Sequence, residues 1–333
     1  MDHQPGTRSL GNLTLFTVWL LMLLVNPVVG QQPETDFSRL LNAEMLGTFQ
    51  RVCRYVEKHP AAEDVDAACQ WIFRTALDYH FENQAVPLAT QYLQRPATVK
   101  SVNKLAQQVV VLGQAQQGNM KAAQKRFQQY LKEQPAYTAE QNIDFVLQFA
   151  GTAQLQKQYA VAAEIYGSTA RRFTLNPQIR ELCENKIAKL KLINEPAPPI
   201  AALDITGKRV DLANYRGKVL LIDFWATNCP PCLEALPHVK KLYEKYHPQG
   251  FEILGISLDV HQETVASFQQ KRKIPWQLMM LDSSRGSLRQ PYKIRAIPSL
   301  YLVNREGKVV QFDLHGENLS RAVRQMVENS NSP

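Results

Sequence analysis

Residues 218–237, KVLLIDFWATNCPPCLEALP, constrain the fold more than any other stretch of the chain. KVLLIDFWAT is almost unbroken in apolar side chains, the pattern of a strand buried on both faces. PCLEALPHVKKLYEKY then places Leu233, Leu236, Val239 and Leu242 at three-residue steps, the pattern of an amphipathic helix. Cys229 and Cys232 stand between the two, around two consecutive prolines. A buried strand that runs straight into a helix belongs in a sheet with helical crossovers.

The flanking sequence continues that order. AALDITGKRVDL reads as a hairpin turning at Thr206-Gly207. After the cysteines come strand FEILGISLD, helix QETVASFQQKRK, a short strand around WQLMML, strand PSLYLVN, a turn at Arg305-Glu306-Gly307, strand KVVQFDL and a last helix from about Ser320. The crossovers imply a parallel core, and the late hairpin adds an antiparallel pair.

Upstream the composition differs. Residues 37–192 are rich in Ala, Gln, Leu and Lys, with few glycines, which is helical territory. Segment 104–135 breaks at Gly118-Asn119 and carries Ala122, Ala123, Phe127 and Tyr130 at helical spacing, so it predicts a helix, a turn and a second helix. A looser copy places Ala162 and Tyr166 where Ala123 and Phe127 stood, and a faint third lies around Ala76 to Pro96. These units resemble tetratricopeptide-type helical hairpins, whose stacking leaves a concave surface for a protein partner. The competing reading is an α-helical domain that only packs against the rest of the chain. The proline-rich segment 193–199 predicts an extended linker, with the α/β domain at 200–330.

Residues 1–30 read as an export signal: Arg8, the apolar run LTLFTVWLLMLLV, then Val28-Val29-Gly30 before QQPETD. The alternative is an uncleaved membrane anchor. Outside the cytosol disulfides form and persist. Cys53 and Cys69, on successive predicted helices, are therefore candidates for a structural disulfide, with two unpaired buried thiols as the alternative; Cys183 reads as a buried hydrophobe. The chain carries 38 Lys+Arg against 30 Asp+Glu, yet the basic residues are scattered in groups such as Lys271-Arg272-Lys273. With no aromatic-interleaved basic stripe, nucleic-acid binding is set aside.

Cys229 falls at a helix N-terminus, where the dipole favours the thiolate, the reactive form. With two residues between them, Cys232 is close enough for an exposed, strained disulfide that opens and closes. Because Pro230 and Pro231 offer no N–H, the first backbone donor available to Cys229 sulfur is that of Cys232, which predicts a moderate lowering of its pKa. A zinc site would need a second CxxC or a histidine pair at ligand spacing, and neither follows, so no metal and no cofactor beyond the redox-active pair are expected. A purely structural Cys229–Cys232 disulfide is the bland alternative.

LIDFWATNCPPCLEALP together with IRAIPSLYLVNREGKVV resembles the thioredoxin superfamily, in particular its exported TlpA/ResA-like thiol-disulfide oxidoreductases, over residues 195–330. The resemblance implies a thioredoxin-like α/β domain, with a central mixed sheet flanked by helices, after the all-α domain. It makes Cys229 the attacking thiol and Cys232 the resolving one. Pro298 matches the cis-proline facing the disulfide, with Ile297 offering backbone hydrogen bonds to substrate. Asp223 matches the buried acid that assists Cys232, Trp225 the aromatic beside the site, and Pro237 a proline that kinks the active-site helix. Asn228 replaces the family's tryptophan, Ala235 stands where the exported branch often has glutamate, and Gly255 takes the strand position of the lysine that partners the acid. The family implies protein disulfides as substrates, apocytochrome c among them, and a membrane electron donor. Two other function classes stand beside it: a thiol peroxidase of the related fold, disfavoured because Thr227 is two residues before Cys229 rather than three, and a partner-binding helical module on a passive scaffold.

Overall fold

The computed structural model describes residues 36–96, 98–135, 140–281 and 288–328. The predicted signal at 1–30 lies outside them. No helix among the described residues is long and apolar enough to cross a membrane.

The first half is helical throughout: α1 (Asp36–Lys58), α2 (Val65–Tyr79), α3 (Glu82–Leu93), α4 (Lys100–Gln116), α5 (Met120–Glu133), α6 (Ile143–Leu155), α7 (Tyr159–Arg172) and α8 (Pro177–Leu190). Most successive helices pack against one another, and α4 also meets α2 and α6. The α4–α5 turn falls at the Gly118-Asn119 break, where Gly118 takes a φ of 85°, open to glycine at no steric cost. The two better copies bury equivalent side chains, Ala123 and Phe127 in one, Ala162 and Tyr166 in the other. Each also satisfies a buried tyrosine hydroxyl from the preceding helix: Gln108 Nε2 donates to Tyr130 Oη at 2.8 Å, and Gln154 Nε2 to Tyr166 Oη at 3.3 Å. Cys53 and Cys69 are free thiols, so the staple considered from the sequence is not formed; Cys69 is packed into the α1–α4 core instead.

The second half contains β1 (Ala201–Leu203), β2 (Arg209–Asp211), β3 (Val219–Trp225), α9 (Pro230–Tyr246), β4 (Phe251–Ser257), α10 (Gln262–Arg272), β5 (Gln277–Met280), β6 (Ser299–Val303), β7 (Val309–Phe312) and α11 (Gly316–Glu328). Strands β5-β4-β3-β6-β7 form one sheet, parallel from β5 to β3 and antiparallel from there to β7. The last helix begins at Gly316, four residues before the expected Ser320, because a glycine that reads as a breaker sits here at the first helical position.

Both sheet edges are covered. The β1–β2 hairpin meets β5 through Ile205 N–H donating to Leu278 O at 2.9 Å. On the far edge, a turn closed by Asn194 at a φ of 67° delivers residues 195–197 alongside β7: Asn194 N–H donates to Val309 O at 2.8 Å, Val309 N–H to Glu195 O at 3.0 Å and Ala197 N–H to Gly307 O at 2.9 Å. The expected linker is therefore extended but pinned, and it blunts an edge that would otherwise offer free backbone donors.

Alternation along the strands gives the sheet two apolar faces. Val219, Leu221 and Trp225 of β3 pack beneath α9, α10 and α11. Leu220, Ile222 and Phe224 belong instead to a cluster continuous with Phe127, Phe149, Tyr166 and Cys183 of the helical half. One core thus runs through both halves.

Candidate active site

β3 ends at Trp225 and α9 starts at Pro230, so Cys229 is the N-cap of α9. Cys229 and Cys232 form a disulfide with a Cα–Cα distance of 5.3 Å. The Cys232 N–H points at Cys229 Sγ, 3.4 Å away, and with Pro230 and Pro231 occupying the first turn it is the donor the prolines leave in place. The pair is less open than expected, at 7% and 8% exposed for Cys229 and Cys232, because both sulfurs join the apolar cluster under α9 while Asn228, Pro230 and Pro231 face solvent.

The loop entering the cysteines is held by Asp259, which follows β4. It accepts from Thr227 N–H at 2.9 Å, Thr227 Oγ1 at 2.6 Å and Ser257 Oγ at 2.6 Å. Burial would raise its pKa, but these donors hold its carboxyl below the ordinary range. The Thr227 hydroxyl is committed to Asp259, which removes it from the role a peroxidase threonine would need at the sulfur.

Pairing of Phe224 with Ser299 sets Pro298 level with Trp225 at the cysteine end of the sheet. The Ile297–Pro298 peptide is cis, and both residues are half-buried. Pro237 lies inside α9. His238 of α9 reaches α11, its Nε2 3.1 Å from both Gly316 O and Ser320 Oγ.

Behind the disulfide lies a cavity of about 10 Å³, room for one water, lined by Asp223, Trp225, Cys232, Leu233, Leu236, Ile274 and Trp276. Loss of hydration, with no cation to offset it, pushes the Asp223 carboxyl up to about 7. The surface that residue retains opens on the cavity. Asp223 pairs across the sheet with Gly255. A Cβ at 255 would stand 2.4 Å from Leu278 Cδ2, 3.2 Å from Trp225 Nε1 and 3.3 Å from Trp276 Nε1, so two indoles and a leucine fill the space a longer residue would need. Trp225, expected as the aromatic beside the site, is only 5% exposed; its ring lies tilted against Phe268, at 5.4 Å between centroids, and its buried Nε1 has no hydrogen-bond partner among the described residues. Its place is the rear wall of the disulfide. Trp276 and Asp259 were not singled out by sequence reasoning, since strand register alone brings them to the site.

Among the described residues no three His, Cys, Asp or Glu side chains gather as a metal ion would require. The remaining cysteines lie apart from the site, and burial first of all pushes their thiols up, Cys53 and Cys183 to about 12 and Cys69 to about 11.

Comparison with known proteins places these features in a lineage. The AhpC/TSA family pattern matches residues 193–312. The chain is 26% identical over 136 residues to the thiol-disulfide oxidoreductase ResA of Bacillus thuringiensis subsp. konkukian, covering 41% of this chain and 77% of that one. It is 31% identical over 121 residues to ResA of Bacillus anthracis, covering 36% of this chain and 68% of that one. The solution structure of a thiol:disulfide interchange protein from Bacteroides sp. aligns with 31% identity over 42% of this chain and 93% of that one, at a TM-score of 0.39. All of these matches fall short of half of this chain. Through its thioredoxin-like C-terminal domain the chain belongs to the family of ResA-type thiol-disulfide oxidoreductases.

Proposed function

We propose that the chain is an exported reductase of protein disulfides. Cys229 thiolate attacks one sulfur of a substrate disulfide, forming a mixed disulfide and releasing the other sulfur as a thiolate that takes a proton from solvent. Cys232 then gives its proton to the Asp223 carboxylate and attacks Cys229 Sγ, closing the Cys229–Cys232 disulfide and releasing the second substrate sulfur as a thiolate that takes a proton from solvent. Two electrons pass to the substrate, and a dithiol donor at the membrane must return them. Ile297 lends its backbone to the substrate segment beside Pro298. Apocytochrome cysteines are one substrate class that fits; the tetratricopeptide-like hairpins would serve to hold a protein partner, and export to the periplasm follows from the leader-like first thirty residues.

The observation that supports the direction is that, among the described residues, one N–H donor, that of Cys232, meets Cys229 Sγ. A thiolate stabilised by few donors makes the dithiol easy to oxidise, which is the property of a reductant. The test is a redox titration of the mature protein in graded dithiothreitol or glutathione buffers, with Cys229 and Cys232 read by alkylation and mass spectrometry. A midpoint near that of thioredoxin, roughly −270 mV, is expected; one near roughly −120 mV would make the chain a disulfide-inserting oxidant and remove the cytochrome assignment.

A further inference from the structure

The last helix of the helical half grips the segment that leads into and out of the cis-proline. Along α8, Glu181 pairs with Arg295, and Asn185 Nδ2 donates to Lys293 O at 2.9 Å. One turn on, Lys186 Nζ donates to Asp313 Oδ2 at 2.7 Å. Lys189 Nζ donates to Asp313 Oδ2 at 2.8 Å and to Ser299 Oγ at 2.7 Å. Ser299 is the residue immediately after Pro298, and Asp313 Oδ1 accepts from Leu300 N–H at 3.2 Å.

These are not surface charges. The Lys189 side chain is 4% exposed and Ser299 is fully buried. Taking an ammonium and a carboxylate out of water is expensive, and an apolar pair of similar volume would often hold two elements together as well or better. Burial lowers the Lys189 pKa, while Asp313, which burial alone would raise, is held far below the carboxylate range by its two lysines. What the ionic arrangement adds over an apolar one is direction: Lys189 fixes where the Ser299 hydroxyl stands, and with it the start of β6. Elsewhere the helical half meets the sheet mainly through an apolar core, with one buried hydrogen bond from Gln311 Nε2 to Gln154 O at 3.2 Å.

We propose that Lys189 is a positioning residue for substrate: acting through Ser299, it holds the Ile297–Pro298 segment in the attitude that presents the Ile297 backbone to a disulfide-bearing chain. The helical half is then a working part of the oxidoreductase, and a protein bound to it that displaces α8 alters substrate capture at the cysteines. This rests on the reductase reading above.

The experiment measures steady-state reduction of insulin disulfides and of the small disulfide 5,5′-dithiobis(2-nitrobenzoate), with dithiothreitol as reductant, for the full chain and for Lys189→Met and Ser299→Ala. Ser299→Ala keeps the Lys189–Asp313 pair, so it serves if Lys189→Met fails to fold. Insulin engages the loop backbone and the small disulfide does not. KM for insulin is expected to rise about tenfold with kcat changed less than about twofold, so that the ratio of insulin to small-disulfide kcat/KM falls about tenfold. Equal losses for the two disulfides would make the cluster merely structural, and unaltered insulin kinetics in both variants would overturn the positioning role alone. A parent chain inert toward both disulfides would instead bring down the reductase reading and this inference with it.

Discussion

The two faces of the central sheet are closed by different parts of the chain. Over Val219, Leu221 and Trp225 lie α9, α10 and α11, contributed by the same half that supplies the sheet, and this face carries the disulfide. Over Leu220, Ile222 and Phe224 lie Leu288, Tyr292 and Ile294 together with the helical half, in one cluster that extends to Phe127 and Phe149. An oxidoreductase unit that leaves one sheet face to another region cannot be treated as a cassette with an accessory attached. The apolar surface that region covers is part of the stability of the whole.

The sharpest way to break this comparison is to remove one partner. A chain starting at residue 193 loses the cover over Leu220, Ile222, Phe224, Tyr301 and Phe312 together with the Lys186 and Lys189 partners of Asp313. Since a domain holds only about 5–15 kcal/mol in total, the fragment should lose its cooperative melting transition and bind a hydrophobic dye. A fragment that melts cooperatively near the full chain would show the second face to be self-sufficient.

A smaller effect sharpens the chemistry of the first face. In the folded chain Asp223 keeps its proton up to about pH 7, whereas the unfolded chain releases it near the ordinary carboxylate value. Between those values the folded state binds more protons, so stability falls as pH rises through that window, and the penalty is absent below it. Asp223→Asn should therefore be more stable than the parent by about 2–4 kcal/mol at pH 8 and equal to it below about pH 4. Denaturant midpoints for both chains at the two pH values decide it, and a gap that does not widen with pH would mean the acid is solvated or paired.

The smallest effect concerns the neighbour of that acid. At Gly255 an added methyl meets Leu278 Cδ2 at 2.4 Å, and the leucine must turn away while the two indoles stay. Gly255→Ala should cost about 1–3 kcal/mol by urea denaturation, and a neutral result would show that the cavity beside Asp223 absorbs the methyl without repacking.

Much of the α/β half was legible because its signals are local. Short apolar runs bounded by turn residues mark the central strands, and the Cys-Pro-Pro-Cys turn marks the switch from strand to helix. The pairing of Asp223 with Gly255 followed from resemblance, since register depends on a partner strand about thirty residues away. Trp276 escaped notice for the same reason. The helical hairpins could be read from their buried alanines and aromatics, but not where they dock: Lys186 and Lys189, in the stretch ENKIAKLKL, look like the solvated face of any surface helix until Asp313 arrives from the far end of the chain. Cys53 and Cys69 teach the converse, since position on successive helices suggested a bond that the packing of α2 does not make.

Those unbonded cysteines have a consequence for a protein whose trade is exchanging disulfides. With thiols pushed up to about 11 or 12, Cys53, Cys69 and Cys183 hold at neutral pH about one thiolate in ten thousand or fewer. Only the thiolate attacks a disulfide, so these three thiols are poor nucleophiles that would not compete for the mixed disulfide of the proposed reaction. On the proposed reaction, exchange would be confined among the five cysteines to the one turn that carries Cys229 and Cys232.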